Sequence, residues 1–144
     1  MLRPHRIDTV CGPLTGGALL AQSIAIELGV EFAFAERIET DRGGLYPVDY
    51  RLPPGLRSAI GGLRVAVVDD AISAGSAVRA ALADLVSCGA IPVALGALML
   101  IGPKAVSLAT EMRLPLERLL ELPNAIWTPA ECPLCAAGRP LTNP

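Results

Sequence analysis

The chain has 144 residues, 52% of them hydrophobic but only 3% aromatic, and a formal net charge of −2. That length suits one domain with a substantial core of Ala, Val, Leu and Ile, and the acidic balance argues against a nucleic-acid-binding surface. No apolar run reaches the ~20 residues of a membrane span, and MLRPHRIDTV has no apolar stretch of the kind a secretory signal needs, so a soluble cytoplasmic protein with no membrane or nucleic-acid partner is expected.

Strand and helix signals alternate along the chain. Residues 7–10 form a short strand candidate closed by Gly12-Pro13. Residues 17–28 predict a helix, apolar almost all round, stopped by Gly29. Residues 31–35 predict a second strand. The stretch 36–62 is the least regular, broken by Gly43-Gly44, Pro53-Pro54 and Gly61-Gly62, although residues 45–52 have the pattern to pair back on the second strand as a hairpin across Asp41-Arg42-Gly43-Gly44. A central strand is predicted over 64–68, a helix over 76–87 ended by Gly89, and a long apolar strand over 91–101. A short helix over 105–112 and a last strand over 116–120 follow. This alternation predicts an α/β fold, a doubly wound parallel sheet flanked by helices. Residues 1–122 form its core domain, and residues 123–144 a Pro- and Cys-containing tail.

The most informative stretch is Arg64 to Ala81, RVAVVDDAISAGSAVRAA. An apolar run, Val65 to Val68, ends in two adjacent carboxylates, Asp69 and Asp70. The loop Ala71-Ile72-Ser73-Ala74-Gly75 follows, and Ser76 is placed to cap the next helix. Backbone N–H groups, the Ser73 and Ser76 hydroxyls and the helix dipole make an anion cradle here. The two acids repel an anion but suit hydroxyls or a metal-bridged ligand beside it. A ligand with both phosphate and diol, such as a ribose phosphate, fits both halves. A second loop, Cys11-Gly12-Pro13-Leu14-Thr15-Gly16-Gly17, lies between the first strand and first helix, where glycines permit close backbone approach to a ligand.

VVDDAISAGSAV resembles the 5-phosphoribosyl-1-pyrophosphate (PRPP) signature of type I phosphoribosyltransferases, and the orotate phosphoribosyltransferase branch most of all. The resemblance runs over residues 7–135. It implies that Asp69 and Asp70 hold the ribose hydroxyls, and that Ala71, Ile72, Ser73, Ala74, Gly75, Ser76 and Ala77 wrap the 5′-phosphate. It further implies that Pro13, Leu14, Thr15, Gly16 and Gly17 bind pyrophosphate with Arg37 and Arg42. Asp69, Asp70 and Arg37 are then the catalytic set. Mg²⁺ would be bound by substrate oxygens, with no direct protein ligand assigned, and the protein would be a homodimer. The implied activity is transfer of the 5-phosphoribosyl group from PRPP to a nucleobase, orotate foremost, releasing pyrophosphate.

Several residues depart from that family's pattern. Ile38 stands where lysine is usual, and Lys104 is the only lysine in the chain. The stretch Leu100-Ile101-Gly102-Pro103-Lys104 has no Asp-Arg pair to meet a base carboxylate. The chain starts close to its first core strand, so the hood that covers the base in orotate enzymes is expected to be largely absent. Two other readings stay open: a PRPP- or nucleotide-binding regulatory module without turnover, and a subunit that needs a partner to complete its site. In the tail, Cys132-Pro133-Leu134-Cys135 supplies two of the four ligands of a structural zinc site, which two subunits would have to share. Four cysteines here do not suggest a disulfide scaffold. Trp127 is expected to be a packing or interface anchor, and His5 is too isolated to serve as a base.

Overall fold

The computed structural model describes residues 1–39, 48–125, 127–128 and 130–139. After a 3-10 turn at Arg3–His5, the elements run β1 (Thr9–Pro13), α1 (Gly16–Leu28), β2 (Glu31–Glu39), β3 (Val48–Arg51), α2 (Pro54–Ala59), β4 (Arg64–Ile72), α3 (Ser76–Ser87), β5 (Ile91–Ile101), α4 (Lys104–Met112), β6 (Leu116–Leu122) and α5 (Pro133–Ala136). The six strands form one sheet in the order β3-β2-β1-β4-β5-β6. Neighbours are parallel except β3, which pairs antiparallel on β2 with Arg37 opposite Tyr50. The expected hairpin partner is therefore present as Val48–Arg51, while its turn at 41–44 lies outside the described residues.

Alternate residues of the central strands face opposite layers, as the strand period requires. Val10 and Val68 pack with Ala21 and Ala25 of α1. Their neighbours Cys11 and Val67 pack on the other face with Val78, Leu82 and Leu85 of α3 and Ala105 and Leu108 of α4. Val65, Ala66, Val67 and Val68 are all fully buried, the signature of a strand covered on both sides. The small side chains of α1, Ala18, Ala21 and Ala25, let that helix sit close to the sheet. From β1 the chain winds to β2 on one side, and from β4 it winds to β5 and β6 on the other. The winding direction thus reverses between β1 and β4. In such a sheet the crevice beyond the carboxyl ends of those two strands is where ligands bind.

Several boundaries differ from the sequence expectation, β2 running on to Glu39 and β6 to Leu122 among them. β1 runs on to Pro13 because Pro13 pairs with Ala35 of β2. β4 runs on to Ile72 because it pairs with β5 through Ile72–Leu100, so Asp69 and Asp70 lie inside the strand and the loop shrinks to 73–75. The Pro53-Pro54 breaker starts α2, with Pro54 at the first helical position, where its missing N–H costs nothing.

A polar contact locks α2 and the residue after β3 onto α3. The Asp84 carboxylate, 10% exposed, accepts the Leu52 N–H at 2.8 Å and the Arg57 guanidinium. Asp84→Ala strands the Leu52 N–H in a half-buried site and is expected to cost about 2 kcal/mol. Urea unfolding measures this, and Asp84→Asn, which keeps an acceptor for Leu52, should recover part of it.

Candidate active site

The two loops singled out in the sequence meet at the reversal point. Asp69 and Asp70 stand in the carboxyl-terminal half of β4, and Gly16 and Gly17 open α1 beside them. A Cβ placed on Gly16 would overlap the Asp70 carboxylate, and one placed on Gly17 would lie 2.7 Å from Asp69 Oδ1 and 3.0 Å from the Val68 carbonyl. Glycine at both positions therefore lets the loop backbone press directly against the acid pair.

The pair is electrostatically uneven. Asp69 is mostly covered, and its Oδ1 accepts the Asp70 N–H at 3.0 Å. Burial pushes Asp69 up to about 7, and the Asp70 carboxyl beside it acts in the same direction. Asp70 is exposed. A cation or a set of ligand hydroxyls placed between them would relieve this repulsion.

The first loop is held by the sheet edge. The Leu14 N–H donates to the Ala35 carbonyl at 2.9 Å, and the Tyr50 hydroxyl donates to the Leu14 carbonyl at 3.4 Å. Leu14 and Thr15 are exposed and joined by a cis peptide. Tyr50 was not among the residues the sequence pointed to. The only hint of it was the hairpin pairing, which places Tyr50 opposite Arg37 and one strand away from the loop.

The second loop presents an open helix end. Gly75, with φ of 76°, is the N-cap of α3 and no side chain caps the helix. Ser76 is thus the first helical residue, a correction to its expected capping place. The left-handed backbone leaves the cap to a residue without Cβ, and a Cβ there would meet Leu108 Cδ2 at 2.7 Å. The first-turn N–H groups of this twelve-residue helix have no intrahelical acceptor. Ala71 and Ile72 belong to β4, with Ile72 buried in the core, while Ser73 and Ala74 form the bend before Gly75.

Arg37 lies on β2, exposed, two residues past Ala35, and no hydrogen bond or ion pair among the described residues joins it to Asp69 or Asp70. Arg42 falls outside the described residues. Ile38 is half-buried opposite Asp49, and Lys104 is the first residue of α4. Among the described residues no group of three or more His, Cys, Asp or Glu side chains is arranged to hold a metal. A hard cation would fit here only through the oxygens of Asp69 or Asp70 and those of its own ligand. A separate cleft of about 1170 Å³ between α4 and residues 121–125 shares no lining residue with these loops.

The family model for the phosphoribosyl transferase domain matches residues 3–109, which span both loops and the acid pair. The chain belongs to the phosphoribosyltransferase family. Orotate phosphoribosyltransferase from Caldanaerobacter subterraneus is 30% identical over 140 residues, 97% of this chain and 67% of that protein. Among solved structures, orotate phosphoribosyltransferase from Aeropyrum pernix superposes with a TM-score of 0.64 at 26% identity, covering 82% of this chain and 62% of that one. Adenine phosphoribosyltransferase from Thermoanaerobacter pseudethanolicus superposes with a TM-score of 0.66 at 20% identity, covering 84% and 74%. The type I phosphoribosyltransferase fold expected from the sequence is thus shared. No helix of the described residues is long and apolar enough to cross a membrane.

Proposed function

We propose that this phosphoribosyltransferase binds PRPP with Mg²⁺ at the β1–β4 crevice and transfers its 5-phosphoribosyl group to a nucleobase nitrogen, with orotate the favoured acceptor. The observation that carries this reading is the contact of Gly16 and Gly17 with Asp70 and Asp69. It joins a backbone-rich anion loop to a diol-binding acid pair, and the open N-terminus of α3 lies just after that pair in the chain. In this reading the α3 end and residues 71–77 take the 5′-phosphate, Asp69 and Asp70 accept the ribose hydroxyls, and residues 13–17 take the pyrophosphate. The relatives named orotate phosphoribosyltransferase favour orotate over a purine. A homodimer working in the cytoplasm completes the proposal.

The reaction breaks the bond from the anomeric carbon to the pyrophosphate oxygen and forms one to the base nitrogen. Mg²⁺, which would be held by the pyrophosphate and ribose oxygens beside Asp69 and Asp70, would supply charge neutralisation for the leaving pyrophosphate. The chain's part is to fix the ribose between the acids and hold the phosphates on backbone donors, so that positioning and electrostatics carry the barrier lowering. Arg37, and Arg42 with it, are the cations proposed for the leaving group, in keeping with the bidentate grip of guanidinium on phosphate oxygens.

A second reading, PRPP binding without turnover, draws support from Ile38 and from an Arg37 that is not engaged with the acid pair. Pyrophosphate release with orotate and with a purine panel separates the two. The transferase reading expects orotate-dependent release, slow for this chain because cationic stabilisation of the leaving group is thin. PRPP binding with no release on any base would support the binding module. The loop contact itself is checked by Gly16→Ala. Alanine suits the first helical position, and the atoms it meets are the free end of the Asp70 side chain. Asp70 should turn away with the fold intact, lowering PRPP affinity about tenfold, some 1.4 kcal/mol, at nearly unchanged melting temperature.

A further inference from the structure

The Cys132–Cys135 pair lies far along the chain from the transferase loops, in the tail after β6. Its cysteines flank the first turn of α5, with Cys132 as N-cap and Pro133 at the first helical position. The Ala136 N–H donates to the Cys132 carbonyl at 3.0 Å and the Gly138 N–H to the Cys135 carbonyl at 3.0 Å, which closes the turn. The Ala136 to Cys132 bond makes this a tight turn, in which Cα atoms three apart lie within about 7 Å, close to the separation a disulfide accepts. Both thiols are free, Cys132 half-buried and Cys135 exposed. The other two cysteines have no such partner: Cys11 is sealed in the core, where burial pushes its thiol up to about 12, and Cys88 lies after α3.

We infer that Cys132 and Cys135 form a thiol–disulfide redox site that exchanges with low-molecular-weight disulfides. Cys132 is the attacking thiol. The neighbouring Cys135 N–H and thiol and the Leu134 N–H favour its thiolate and hold it below the ordinary thiol range, while proximity to Cys132 raises Cys135. The Cys132 thiolate attacks one sulfur of a small disulfide, forming a mixed disulfide and expelling one thiolate. Cys135, losing its proton to solvent, then attacks the Cys132 sulfur and expels the second. The chain loses two electrons and two protons, and the small disulfide becomes two thiols. Cysteines alone complete this site, whereas a metal site would need two further ligands that the described residues do not bring near.

The test is equilibration of the full chain in reduced and oxidised glutathione, acid quenching, alkylation and peptide mass mapping. The expected result is a 132–135 disulfide whose fraction follows the glutathione ratio. Cys135→Ser should trap glutathione on Cys132, several-fold faster than Cys132→Ser traps it on Cys135. A pair that stays reduced while Cys88 becomes glutathionylated would overturn the inference. So would equal trapping rates in the two variants. Zn²⁺ bound at one ion per two chains, with dimerisation and full protection of both thiols, would replace it with a shared metal site.

Discussion

Replacing Asp69 with asparagine should stabilise the ligand-free protein and at the same time cripple PRPP binding. The sign follows from the raised carboxyl. Asp69 titrates near 3.8 when unfolded and about 7 in the fold, so its favourable contribution is present below pH 3.8 and is lost as pH rises through 7. At pH 8 the fold carries a charge it disfavours, and Asp69→Asn removes it. With the side chain partly in contact with water, screening holds the gain to about 1 kcal/mol, or roughly 3 °C in melting temperature. Binding moves the other way. Ribose hydroxyls donate to ionised carboxylates, and losing such bonds at both positions in Asp69→Asn/Asp70→Asn should cost about 3 kcal/mol, a little over a hundredfold in affinity. Because only ionised Asp69 accepts both hydroxyls, PRPP affinity of the unmodified chain should rise about tenfold between pH 6 and pH 8. In Asp69→Asn that component of the pH profile should vanish, which separates it from titration of PRPP itself. A variant less stable at pH 8, with PRPP affinity unchanged, would contradict the assignment of the acid pair.

Gly12→Ala should be the most damaging single methyl in the first loop. A Cβ there would run into the carbonyl carbon and oxygen of Gly17 and approach the Ala18 nitrogen to 2.7 Å. All three are backbone atoms, so no side-chain rotation relieves the overlap, and α1 must lift from β1. That movement opens the layer in which Ala21 and Ala25 pack on Val10 and Val68. Overpacking of this kind costs about 3 kcal/mol, and differential scanning calorimetry should show the melting temperature falling by about 10 °C. Gly29→Ala is the useful comparison, since Gly29 has φ of 69° but open space around it. It should lose only about 1 kcal/mol.

What was legible in the sequence follows the strength of local signals. Residues 76–87 and 91–101 were bounded correctly as helix and strand because each combines a clean apolar pattern with a glycine or serine at its edge. The acid pair and both loops were legible because an apolar run breaking into Asp-Asp and small residues has few other uses. Boundaries set by partners were not: nothing within β1 or β4 says that Pro13 will pair with Ala35 or Ile72 with Leu100. Pro53-Pro54 was read as a breaker because proline ends a helix and starts one with the same residue type. Tyr50 was hidden for another reason. Its contact with the Leu14 carbonyl depends on the antiparallel β3 edge of an otherwise parallel sheet, and register is a property of two strands rather than one. The expected packing role of Trp127 gains no support within the chain, where the residue is half exposed.

A PRPP site built from residues 13–17, Asp69–Asp70 and the start of α3 should show itself in calorimetric titration of the unmodified chain with PRPP and Mg²⁺ at pH 8. The expected result is one site per chain with a dissociation constant in the micromolar range or weaker, about −8 kcal/mol at best, and no measurable heat of binding in a folded Asp69→Asn/Asp70→Asn variant. Absence of binding by the unmodified chain, or equal binding by the double variant, would contradict it.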